Sequence, residues 1–193
     1  MDAALKLPET MTLGEFLAWN SPGKLWQLVE GVPEAMAPGS PMHGAIQSEI
    51  AALLRNHLLE RGSPCRVIIT PGIVPRARSA QNFRIPDLGV TCSPIEREGM
   101  LREPVLLVEI LSPSNKAETW SNVWTYMTIP SVREILVVRA DEIGVELLRR
   151  QADGTWPEQA LALRDGTLAM ESIGFACDVA AFYCGTEWGD LAT

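Results

Sequence analysis

Two apolar runs, each interrupted by a single carboxylate, constrain this chain more than any other feature. The first is Ile85-Pro86-Asp87-Leu88-Gly89-Val90. The second is Val105-Leu106-Leu107-Val108-Glu109-Ile110-Leu111, followed by Ser112-Pro113-Ser114. Both read as buried strands, yet Asp and Glu are poor strand residues. An ionised carboxylate among apolar neighbours is costly unless it is paired or holds a metal. Two such strands, about one loop apart, can set Asp87 and Glu109 side by side. Hard cations take oxygen ligands, and Mg²⁺ often uses only one or two carboxylates plus water. The pair is therefore a candidate site for Mg²⁺ or Mn²⁺. Structural readings stand beside it. After a proline, Asp87 can cap backbone N–H groups at a strand end. Glu109 can be a partly buried acid paired with an arginine.

The remaining pattern supplies one α/β layer fold around these strands. Thr12-Leu13-Gly14-Glu15 has the form of a capping box and predicts a short helix over 12–19. Leu25–Glu30 reads as a strand, with Gly31 turning into a second one over Val32–Met36, where Pro33 favours an edge. Ser40-Pro41 is an N-cap followed by proline and opens a helix from about Met42 to Glu60. Ile46, Ile50, Leu53, Leu54 and Leu58 mark its buried face. Strands are expected at Cys65–Thr70, Ile73–Arg76, Ile85–Thr91 and Val105–Leu111. A helix follows over about Asn115–Met127, then strands at Glu134–Arg139 and Val145–Arg149. A final hairpin is expected through Asp165-Gly166, and a short closing helix from Asp178.

The chain has 193 residues, which suits one domain over 1–193 with a core over about 25–185. Its apolar fraction of 47% is ordinary for a globular protein. No apolar run approaches the ~20 residues of a membrane span. Met1–Lys6 lacks the regions of a signal peptide, so a cytoplasmic location is expected. Cys65, Cys92, Cys177 and Cys184 show no zinc-ligand spacing and read as buried free thiols. The formal net charge of −8 opposes general electrostatic binding of nucleic acid. Arg76, Arg78 and Arg84 still cluster just before Asp87. They read as a solvated hairpin or as a patch that steers phosphate. Trp120 and Trp124 share a helix face that Tyr126 does not, which favours core packing. His57, in mid-helix, reads as structural.

The order of the motifs resembles a known family. It runs from Trp26-Gln27-Leu28-Val29-Glu30-Gly31 through Pro38-Gly39-Ser40-Pro41-Met42-His43 and Pro86-Asp87. It continues through Val108-Glu109-Ile110-Leu111-Ser112-Pro113-Ser114 to Tyr126, Ile129-Pro130 and Glu134. The run is similar to the Uma family of bacterial restriction-endonuclease-like proteins, within the PD-(D/E)XK nuclease superfamily. The resemblance spans about residues 25–185. It implies a restriction-endonuclease-like core, a mixed central β-sheet flanked by helices. It implies that Asp87 and Glu109 share a Mg²⁺ ion, that Glu30 completes the cluster, and that His43 sits nearby. By the same resemblance DNA would be the substrate and a homodimer the expected assembly. There is one departure. The superfamily lysine is usually two residues after the second acid, where this chain has Leu111. The Uma pattern supplies it from the next helix, where this chain has Asn122. Lys116, early in that helix, is the candidate replacement, with Lys24 a more distant one. A catalytically degenerate protein acting as a binding or assembly module is the rival expectation.

Overall fold

A capping box opens the described chain, as its sequence predicts. The Glu15 N–H donates to Thr12 Oγ1, and Glu15 Oε2 accepts from the Thr12 N–H at 2.7 Å. This starts α1 (Leu13–Ala18). A hairpin follows, β1 (Trp26–Val29) and β2 (Val32–Ala35), turning at Glu30 (φ 50°) and Gly31 (φ 88°). Ser40 caps α2 (Pro41–Glu60) with proline at the helix start. The central elements are β3 (Arg66–Ile69), β4 (Leu88–Thr91), β5 (Pro104–Leu111), α3 (Lys116–Tyr126), β6 (Glu134–Arg139), β7 (Val145–Arg149) and β8 (Leu161–Leu163). A second hairpin, β9 (Thr167–Met170) and β10 (Phe175–Asp178), leads to a 3₁₀ turn over Val179–Tyr183, which Asp178 caps. The computed structural model describes residues 9–20, 25–97 and 99–189. Lys24 and the segment 1–8 lie outside them.

Six strands form one sheet in the order β3-β4-β5-β6-β7-β8. Only β5 and β6 run parallel, because α3 carries the chain across between them. The sheet is thus mixed, with a helix on each face. Alternation along β5 divides the core. Leu106, Val108 and Ile110 pack with Ile46, Ile50, Leu54 and Leu58 of α2. Leu107 and Leu111 pack with Val123 and Tyr126 of α3. Among the described residues no helix is long and apolar enough to cross a membrane.

Four expectations change. Ile73–Arg76 forms no strand: Ile73 makes one isolated bridge with Arg84, and Pro75, two residues on, has no N–H to extend a ladder. Asp165-Gly166 joins β8 to β9, which belong to different sheets, so it closes no hairpin. Cys65 and Cys92 are joined as a disulfide rather than free. The β3–β4 register, Arg66 opposite Thr91, brings these flanking cysteines face to face. Cys184 is exposed and Cys177 half-buried, so neither is a fully buried thiol. Finally, Trp124 is 58% exposed, while only Trp120 packs against the core. His57 is structural, as expected: its Nε2 hydrogen-bonds the Ile173 carbonyl and its ring meets Phe175 edge-on.

Candidate active site

Alternation along β5 sends Glu109 to the α3 side, at the end of the sheet where β4 begins. The residue is 6% exposed. The Tyr126 hydroxyl donates to its Oε1 at 2.6 Å. Asp87 immediately precedes β4. Its Oδ2 accepts the Ile110 N–H of β5 at 2.6 Å, so the side chain adds a rung beyond the β4–β5 ladder. Its Oδ1 lies 2.8 Å from His43 Nε2. Gln47, one turn further along α2, donates from Nε2 to the Asp87 carbonyl oxygen at 2.8 Å. Both the loop before β4 and the first turn of α2 are therefore fixed against β5.

The electrostatics follow from this burial. Glu109 is pushed well above the ordinary carboxylate range, first by burial and then by the Asp87 charge. Hydrogen bonds from Tyr126 and Asn122 act in the opposite direction. Burial, then the charge of Glu109, pushes the Tyr126 phenol up as well, so it stays a donor. The His43 imidazole is raised mainly by its hydrogen bond to Asp87, against the effect of burial. The result is a pair of hard oxygen donors held close at a cost that a cation would relieve.

Asn122 is buried, and its Oδ1 accepts from Arg84 Nη1 at 3.2 Å. The amide nitrogen is thereby left for Glu109. Arg84 is only 3% exposed. Glu30 stands apart from this constellation. It occupies the β1–β2 turn, and its carboxylate pairs with exposed Arg78 at 2.7 Å. Among the described residues, no three His, Cys, Asp or Glu side chains converge as a metal-holding group. Lys116 opens α3 and is exposed; it makes no hydrogen bond or ion pair with Asp87 or Glu109.

The family model described as "Putative restriction endonuclease", Uma2, matches residues 13–180. This chain belongs to the Uma2 family. It is 29% identical over 175 residues to an uncharacterized protein of Synechocystis sp., covering 89% of this chain and 90% of that one. Its fold matches the crystal structure of "a putative nuclease belonging to DUF820" from Anabaena variabilis, with a TM-score of 0.73 and 19% identity. The match covers 89% of this chain and 97% of that one. The restriction-endonuclease-like core is thus the fold of this Uma2 chain.

Sequence reading of the Uma2 chain named Asn122 and Tyr126 by motif position and passed over Glu118. Glu118, Asn122 and Tyr126 are spaced by four and share one face of α3. That spacing was legible in the sequence. Gln27 is buried and donates from Nε2 to Glu118 Oε1 at 2.8 Å. Glu34 stands directly opposite Gln27 in the β1–β2 register, and burial and the Glu118 charge raise its pKa. The hairpin thus turns Glu34 towards Glu118 of α3.

Proposed function

We propose that this Uma2 protein is a Mg²⁺- or Mn²⁺-dependent nuclease that hydrolyses DNA phosphodiester bonds, with Asp87 and Glu109 as metal ligands. The observation that carries the reading is Glu109: a buried carboxylate beside a second one, with no cation within ion-pair reach among the described residues. The donor set suits a hard cation, because Mg²⁺ accepts one or two carboxylates and completes its shell with water. When bound, the ion would lower the pKa of a water and stabilise charge on the phosphoryl group.

The protein's own residues have separable tasks in this reading. The Ile110 N–H and His43 orient Asp87, and Tyr126 and Asn122 orient Glu109. His43 retains a proton at higher pH than an ordinary histidine and can present it near the substrate phosphate. Lys116, exposed at the start of α3, would make an outer contact to the substrate strand. Glu30 contributes through Arg78 and not as a ligand. A homodimer would supply the second centre that cutting both strands of a duplex requires.

A second reading rests on Asn122 and Leu111, which stand where the resemblance implies lysine. Under it, the chain keeps the fold as a binding or assembly module. Cleavage of plasmid and single-stranded DNA with Mn²⁺ or Mg²⁺ separates the two. Loss of cleavage in Asp87→Ala supports the nuclease. No cleavage by the wild-type chain at high concentration supports the module.

A further inference from the structure

A cavity of about 570 Å³ opens between the β1–β2 turn and α3. Its wall includes Glu30, Arg78, Asn82, Arg84 and Ser121. Arg78 is already paired with Glu30 there, and the charges of Glu34, Glu30 and Glu118 act on Arg84 from further off. Arg84 is the unusual member. It is a cation at 3% exposure, and among the described residues no carboxylate lies within ion-pair distance of it. Its Nη1 is used on Asn122, its Nε is sealed from solvent without a partner, and its Nη2 makes no hydrogen bond among the described residues. A buried, unsatisfied N–H on a charged group is costly and calls for an acceptor. Asn82 cannot serve. Its Oδ1 accepts from the Glu30 N–H and its Nδ2 donates to the Ala77 carbonyl, so it braces the turn instead.

We propose that this cavity is a phosphate-binding subsite in which Arg84 is the buried cation and Arg78 stands at the rim. The planar guanidinium suits phosphate oxygens, which accept charge-assisted hydrogen bonds from its N–H groups. Ser121 borders the cavity, while Asn122 and Tyr126 of the same helix face Glu109. A phosphate held at Arg84 therefore lies next to the carboxylate centre along α3. The subsite rests on the nuclease reading in one respect: it would hold a backbone phosphate adjacent to the scissile one.

The test is binding, measured in chelator so that metal chemistry plays no part. Fluorescence anisotropy of a labelled single-stranded oligonucleotide is compared for wild type, Arg84→Met, Arg84→Lys and Ser121→Glu. Inorganic phosphate is titrated calorimetrically in parallel. Losing a charge-assisted contact should weaken binding about tenfold or more in Arg84→Met, and less in Arg84→Lys. Ser121 is exposed, so Ser121→Glu places a negative charge at the mouth without disturbing the core. It should weaken binding comparably at an unchanged melting temperature. Equal affinity in wild type and Ser121→Glu, or no binding by wild type, would overturn the subsite even if DNA is cut. Arg84-dependent binding upholds it even if no metal supports cleavage. Phosphate bound as tightly as the oligonucleotide would keep the subsite and break its link to a nucleic-acid strand.

Discussion

Two glutamates are buried in adjacent parallel strands of the same sheet, and the protein treats them in opposite ways. Glu134, at the start of β6, is fully buried. Its Oε1 accepts from Arg149 Nε at 2.6 Å and from the Glu171 N–H at 3.1 Å. Its Oε2 accepts from the Ser172 N–H at 2.9 Å. A cation and two backbone donors thus surround it. Glu109, in β5, has a hydroxyl and an amide, and the nearest charge that matters is another carboxylate. Glu134 ties the β9 hairpin to the central sheet, and that role is complete. Glu109 has no such cation among the described residues, and burial beside Asp87 raises its pKa so that it tends to keep a proton. Burial of an acid alone therefore says little about function; what it lacks as partners says more.

Mutation can break this contrast at either end. The largest effect is expected at Glu134. Glu134→Ala strands Arg149 and two backbone N–H groups, which should lower stability by roughly 2–4 kcal/mol, read from the urea midpoint. A loss below about 1 kcal/mol would mean that Glu134 is as loosely built in as Glu109.

Glu109→Gln should do the reverse. The folded-state pKa of Glu109 is raised above the ordinary value of 4.5, so the folded chain holds a proton that the unfolded chain releases. Its contribution to stability therefore falls as pH rises from that value through the raised folded pKa. Without metal, Glu109→Gln should match wild type near pH ~4 and be more stable by roughly 1–2 kcal/mol at neutral pH. Thermal melts across pH in chelator check this. A mutant that is destabilised at neutral pH would mean that the protein itself neutralises Glu109.

A smaller change sharpens the role of Asp87. His43 has a raised pKa from its hydrogen bond to Asp87, so its stabilising contribution is fully present below 6.5 and is lost as pH rises through the folded value. His43→Gln should cost about 1 kcal/mol or less in mildly acidic solution and progressively less above. A pH-independent difference would show that the ring acts by packing alone.

The sheet and both long helices were legible because their signals were local. The Ser40-Pro41 cap, the period of Ile46, Ile50, Leu54 and Leu58, and the apolar run of β5 each needed only a short window. Asp87 and Glu109 stood out because a carboxylate in an apolar run is conspicuous, although β4 starts only at Leu88 and leaves Asp87 just before it. What escaped depended on pairing between distant segments. Cys65 and Cys92 are 27 residues apart and meet only through the β3–β4 register. Arg84 read as one of three arginines in a solvated hairpin or a phosphate-steering patch, and its burial escaped because nothing local shows that Asn122 approaches it from α3. Glu30 was read by its motif position alone. The register places Glu34, not Glu30, opposite Gln27.

The rung from Ile110 to Asp87 has a consequence for how this chain can fail. A one-residue slip between β4 and β5 would invert the faces of the slipped strand. Asp87 would lose its backbone donor, and Glu109 would no longer stand beside it. A misregistered chain, whether newly synthesised or thermally damaged, would therefore be an inert chain. For a protein proposed to cut DNA, correct assembly of the sheet doubles as a safety catch.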